Sequence, residues 1–140
     1  DNLPIYPVKG YSITIHNPGV APWTSLLDDQ SKIVTARLGK ERLRVAGTAE
    51  FNGYNTDIIQ SRIKPLTDWA VKMFPGISTE IITPWAGLRP MMPNMMPVVN
   101  RSTRSKRIYY NTGHGHLGWT LSAYTAQSIV QRIRGNNDKT

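Results

Sequence analysis

The sequence predicts an α+β fold built on an antiparallel or mixed sheet. Three observations carry this: β-rich segments precede and separate two helical patterns, strict strand–helix–strand alternation is absent, and a hairpin signature lies in the first third of the chain. In chain order, an alternating β-branched run over residues 11–15 is the first strand, and a Pro/Gly/Asn-rich loop over 17–22 follows it. Segments 32–38 and 43–51 read as strands joined by Gly39-Lys40-Glu41-Arg42, a hairpin. Ile59, Ile63, Leu66, Ala70 and Met73 recur at spacings of four, three, four and three, one face of a helix that ends before Pro75-Gly76. Pro65 either kinks that helix or lies in its first turn, because proline removes a backbone donor and clashes with the preceding turn. Residues 80–85 are again β-rich, 90–97 are rich in methionine and proline, and 107–111 are strand-like. In the last helix Trp119, Ala123, Ala126, Val130 and Ile133 form an apolar stripe, Arg132 and Arg134 complement the C-terminal dipole, and Gly135 is placed to stop it. A polar tail, 136–140, remains.

Composition bounds the function. With 140 residues, 39% hydrophobic and 19% charged, the chain makes at most one ordinary compact domain, neither disordered nor fibrous. No run of 18 apolar residues and no export-signal pattern is present. Zero cysteines exclude disulfides, thiolate metal sites and cysteine nucleophiles, and fit a reducing compartment. Seventeen basic against nine acidic residues leave +8, which raises nucleic acid or an anionic surface as a partner. Arg101, Arg104, Lys106 and Arg107 do cluster, but Trp23, Trp69, Trp85 and Trp119 are scattered and give no stacking platform, so no nucleic acid is expected. The same cluster suits a membrane surface or an acidic partner, and its plainest reading is a solvated loop. The chain opens on Asp1 and enters a strand almost at once, which reads as a fragment.

Gly113-His114-Gly115-His116-Leu117-Gly118 matches G-x-G-x-x-G, follows an apparent strand and opens a helix. Such a loop lets backbone approach a ligand, and the helix start offers free N–H groups and a positive dipole end. A full dinucleotide fingerprint also needs a second strand bearing an acid about 20 residues on. Asp138 has that spacing but no strand to carry it. A glycine-rich turn that packs a helix against a strand is the competing reading. His114 and His116 have no further ligand cluster beside them, and His16 is remote, so no metal site is expected.

Three motifs in order, Pro7-Val8-Lys9-Gly10-Tyr11-Ser12, Trp85-Ala86-Gly87-Leu88-Arg89-Pro90 and Asn111-Thr112-Gly113-His114-Gly115-His116-Leu117-Gly118-Trp119-Thr120, resemble the C-terminal part of the FAD-dependent D-amino-acid dehydrogenases (small subunit), within the D-amino-acid oxidase and glycine oxidase superfamily. The resemblance covers nearly the whole chain. It implies part of a two-domain flavoprotein: a partial substrate-binding domain over 1–97, then a returning strand and C-terminal helix of an FAD-binding domain over 98–135. The cofactor it implies is FAD, and the reaction is oxidative deamination of a D-amino acid by hydride transfer, with relatives acting on glycine, sarcosine or hydroxyproline as the alternative. Arg89 is then the carboxylate anchor, suited to it because a planar guanidinium makes two parallel hydrogen bonds. Gly113, His114, Gly115, Leu117, Gly118, Trp119 and Thr120 are expected to approach the flavin mainly through backbone, and His116 to line the substrate pocket. The partners implied are the D-amino acid, the missing N-terminal part of the same enzyme, without which the fragment is expected to be inactive, and a membrane-associated electron acceptor; the location implied is the cytoplasm, peripheral to the inner membrane face. Where the family commonly reads Thr-Pro-Asp-Gly-x-Pro, this chain departs at Met92, Asn94 and Met95. The plain reading of its methionines is adaptable core filler, and the sharper one is a wall of the substrate or flavin pocket.

Overall fold

A computed structural model describes residues 1–137, so Asp138 and the end of the expected polar tail lie outside the described residues. The elements are β1 (Tyr6–His16), β2 (Leu26–Asp28), β3 (Ile33–Arg37), β4 (Arg42–Phe51), α1 (Gln60–Met73), β5 (Ile82–Met91), β6 (Val98–Arg101), β7 (Tyr109–Thr112) and α2 (Gly118–Asn137). The expected α+β class is the observed one. A five-stranded sheet has the order β2-β3-β4-β1-β5, and β6 pairs with β7 in a separate two-stranded sheet. The chain divides into two compact units, Lys9–Leu88 and Asp1–Val8 with Arg89–Thr140.

In the Lys9–Leu88 unit the hairpin forms as expected: β3 and β4 run antiparallel with Thr35 opposite Val45, and Leu38 N–H donates to Arg42 O at 2.8 Å across the turn. Tyr11, Ile13, Ile15, Ile33, Leu43 and Val45 turn their apolar faces into one core, closed by Ile63, Leu66, Trp69 and Ala70 of α1. Gly47 sets how closely helix and sheet approach, because a Cβ there would lie 2.7 Å from Ile33 Cγ1 and 3.0 Å from Leu66 Cδ2. Pro65 sits inside α1, beyond its first turn; Met73 of the expected stripe is exposed, and Trp69 takes its place in the core. Trp69 Nε1–H donates to Asp28 Oδ2 at 2.7 Å, which ties α1 to the short strand β2 that pattern alone does not reveal. That bond and the Ser31 donors hold the Asp28 carboxyl down at about 2.

The unit containing Arg89–Thr140 is built on the β6–β7 ladder, in register from Val98 opposite Thr112 to Arg101 opposite Tyr109, with α2 against it. Here the expected stripe is corrected. Trp119 is 95% exposed, Val130 and Ile133 are exposed, and the buried residue is Thr125, with Leu121, Ser128 and Ile129 partly covered beside it. Spacing finds an apolar face but does not say what covers it. The face that packs can bury a threonine because its hydroxyl bonds backward to the helix carbonyls of Leu121 and Ser122 at 3.1 and 3.3 Å. Nor does Gly135 stop α2, which continues to Asn137; glycine weakens a helix interior by only about 1 kcal/mol.

Candidate active site: an arginine strand and a glycine loop

Strand β5 runs further than the β-rich segment 80–85 suggests and carries the whole Trp85 to Pro90 motif. The Trp85 indole lies across Gly87 and fills the space a Cβ there would need, which accounts for the glycine two residues after the tryptophan. Arg44 lies over the same indole, its guanidinium carbon 5.3 Å from the Trp85 ring centre.

Arg89 stands near the C-terminal end of β5. Its side chain is half-buried, and burial pushes its pKa below the usual value. No acceptor or counter-charge for the guanidinium is found among the described residues. A desolvated cation without a partner is costly, and an incoming carboxylate removes that cost.

One residue beyond, the strand meets the glycine loop. Pro90 O accepts from Gly115 N–H at 2.9 Å, and Met91 forms an antiparallel bridge with His114. Gly113 and Gly115 hold φ of +76° and +56°, a region that favours glycine. The His114 ring bonds Thr125 Oγ1 at 3.2 Å. That bond ties the loop to α2 through the His114 side chain. His116 and Leu117 are exposed.

The N–H groups of Gly118, Trp119 and Thr120 open α2, and no acceptor for them is found among the described residues. The first turn contains no acidic residue, so the positive end of the dipole is uncompensated. Gly118, Trp119 and Ser122 line an open concavity of about 340 Å³ there. The loop therefore presents donors for an electron-rich group, with Arg89 and these donors carried in one compact unit. No group of three or more metal-ligating side chains occurs among the described residues.

One polar cluster escaped sequence reasoning. Lys9 is fully buried, and its three ammonium protons meet Glu50 Oε1 at 2.7 Å, Asn55 Oδ1 at 2.9 Å and Asp57 O at 3.0 Å. Tyr11 O–H donates to the same Glu50 oxygen at 2.6 Å. Burial disfavours the Lys9 ammonium, but the bonds to Glu50 and Tyr11 outweigh it, and its pKa rises. Bonds from Lys9 and Tyr11 hold Glu50 down at about 2. The signal was a lysine placed between Val8 and Tyr11 at the start of an apolar strand, which requires a buried acid elsewhere.

The fold is shared with glycine oxidase from Bacillus cereus, which aligns with a TM-score of 0.80 over 94% of this chain and 36% of its own, at 23% identity. At that identity the likeness is one of fold, and it extends over both compact units of the chain. The family model described as FAD dependent oxidoreductase (DAO) matches residues 1–132, and the chain belongs to that family. It is 64% identical over 135 residues to D-amino acid dehydrogenase 3 of Mesorhizobium japonicum, covering 93% of this chain. It is 46% identical over 138 residues to the D-amino acid dehydrogenase of Dechloromonas aromatica, covering 95% of this chain. The chain spans 32% of the length of each of these two relatives.

Proposed function

We propose that this chain supplies the substrate anchor and the flavin-facing helix start of an FAD-dependent D-amino acid dehydrogenase. The observation that carries the reading is Arg89: half-buried, desolvated, without a partner among the described residues, and next to the Pro90 carbonyl that clasps the glycine loop. The names of the relatives support the same substrate class. Segment 1–97 belongs to the substrate side and 98–135 to the flavin side, and the pyrophosphate grip comes from the part of the enzyme this chain does not span.

The donor set fits FAD: three N–H groups with no acceptor among the described residues, at a helix start whose first turn holds no acid, suit an electron-rich ring edge. When bound, FAD accepts the hydrogen and two electrons lost from the substrate Cα. Arg89 holds the substrate carboxylate through two parallel N–H···O bonds and so orients the Cα–H bond. Gly118, Trp119 and Thr120 stabilise developing negative charge through backbone N–H, with Gly113, His114, Gly115 and Leu117 shaping the loop. His116 faces the substrate side. The amine enters neutral, no side chain serves as general base, and the imino acid product is hydrolysed by water.

Replacing Arg89 with alanine in the full-length enzyme should lower kcat/KM for a D-amino acid about 100-fold, mostly through KM, the equivalent of losing about 2–3 kcal/mol of charged hydrogen bonding. Lysine should restore little, because it lacks the planar fork. Unchanged kcat/KM in the alanine variant would sink the assignment. Electrons then leave to an acceptor at a membrane surface, met by the basic loop between β6 and β7 that carries Arg104, Lys106 and Arg107.

A further inference from the structure

The glycines at 113 and 115 are enforced from inside the protein. A Cβ on Gly115 would lie 2.5 Å from Met91 Sδ and 3.2 Å from Met91 Cε, and one on Gly113 would lie 2.7 Å from Met92 Cγ and 3.3 Å from Met92 Sδ. At Gly118, in contrast, a Cβ would meet nothing nearer than His114 Cβ at 3.7 Å, an ordinary contact. Two of the three glycines are thus occupied on their Cβ side by thioether side chains. The Met92 carbonyl accepts from Met95 N–H at 2.9 Å in a turn where Met95 takes φ of +58°, which fixes where Met92 leaves the backbone. Pro90 O and the bridge between Met91 and His114 hold the loop from the same strand end.

From this we infer that Met91 and Met92 are positioning residues for the flavin-facing loop: their side chains act as a wedge that sets how far segment 113–118 and the first turn of α2 stand off strand β5. The inference rests on the flavin reading of that loop given above. Methionine suits the role because its unbranched, polarisable side chain fills irregular space without forcing a rotamer. The wedge follows Arg89 by two and three residues, so it moves the helix-start donors while the carboxylate anchor keeps its own place on the strand. Its signature is accordingly split, with flavin properties changing and affinity for the amino acid carboxylate held.

The test uses the full-length flavoprotein with Met91 and Met92 replaced singly by alanine or leucine, and Gly115→Ala made with and without Met91→Ala. FAD affinity is read by flavin fluorescence, the visible flavin band by absorbance, and kcat and KM with a D-amino acid. The alanine variants should weaken FAD binding about 10-fold, shift the flavin band and lower kcat, with KM changed less than about twofold. Leucine, which keeps most of the volume, should stay within about twofold of wild type. Gly115→Ala should lose FAD affinity, and adding Met91→Ala should recover about threefold by clearing the obstructing sulfur; the remainder is the strain of alanine at positive φ. FAD affinity and spectrum within twofold of wild type in both alanine variants would overturn the inference. So would strictly additive effects of Gly115→Ala and Met91→Ala, or a lowered melting temperature with unchanged flavin properties. A wild-type enzyme that holds FAD but oxidises no D-amino acid overturns the substrate reading while the flavin measurements still decide the wedge; one that holds no FAD overturns both.

Discussion

Arg89 and Lys9 are cations withdrawn from water, and their partners separate a binding group from a structural one. Lys9 has each proton matched to an oxygen, whereas Arg89 has no acceptor among the described residues. The Lys9 cluster has a pH consequence. Glu50 is held at about 2 against an ordinary 4.5, so the folded state binds its proton less tightly than the unfolded chain does. Its stabilisation is fully present above pH 4.5 and is lost as pH falls toward about 2. Melting temperature followed by circular dichroism should therefore decline over that window. Glu50→Gln should lower stability at neutral pH, by stranding a buried lysine, and flatten part of the acid slope; an unaltered slope would remove Glu50 as its cause. Asp28, also held at about 2, supplies the slope that remains. Arg89 was readable in the sequence because its neighbours name it through a motif. Lys9 stood in an equally recognisable motif, but its role depends on Glu50 and Asn55, more than 40 residues away, and no local pattern reports that pairing.

At the level of elements, the decisive contacts are made by what side chains omit. Gly47 lets Leu66 of α1 come down onto the sheet beside Ile33. Valine there would drive methyl groups into both, so Gly47→Val should cost about 1–3 kcal/mol in urea unfolding with little change in the denaturant slope. A loss below the scatter of the measurement would mean that the helix has room to lift. The same elements show how much of the fold pattern alone revealed. The hairpin of β3 and β4 and the face of α1 were legible because alternation and turn residues are local signals. β2 and β6 were not: β2 has three residues, too few for a period to register, and β6 follows directly on the methionine- and proline-rich stretch, which hides where it starts. The stripe on α2 was found but assigned to the wrong side, since periodicity locates an apolar face without locating its cover. In the candidate site, the positions of Arg89 and the loop were legible, while the methionine wedge was not, because a departure from a family motif announces a change without saying what the new side chains touch.

For the molecule as a whole, charge returns as a question of where it lies. Of the net +8, Arg101, Arg104, Lys106 and Arg107 fall within seven residues around the β6–β7 loop, and Arg132 on α2 reaches Asn100 at 3.3 Å. Asp1, bonded to Thr103, is the acid that approaches this loop, 3.9 Å from Arg104. No helix among the described residues is long and apolar enough to cross a membrane, and a basic loop of this kind is a surface that anionic lipid can attract. The full-length enzyme should sediment with vesicles containing phosphatidylglycerol at low salt, gaining about 1 kcal/mol per basic side chain near the surface, and not with neutral vesicles. Raising salt toward 1 M, where the screening length is about 3 Å, should release it. Equal binding to both vesicle types would exclude an electrostatic attachment. The glycine loop has a historical consequence too. Since a Cβ on Gly115 would meet the Met91 sulfur at 2.5 Å, a side chain can appear on the loop only as the thioether shrinks or swings aside, so the two positions are coupled in how a lineage can change them. At Gly115 a letter that looks like a ligand's imprint is also held by its own positive φ and by a neighbour two dozen residues upstream, and chains with the same G-x-G-x-x-G spelling can have arrived at it under different pressures.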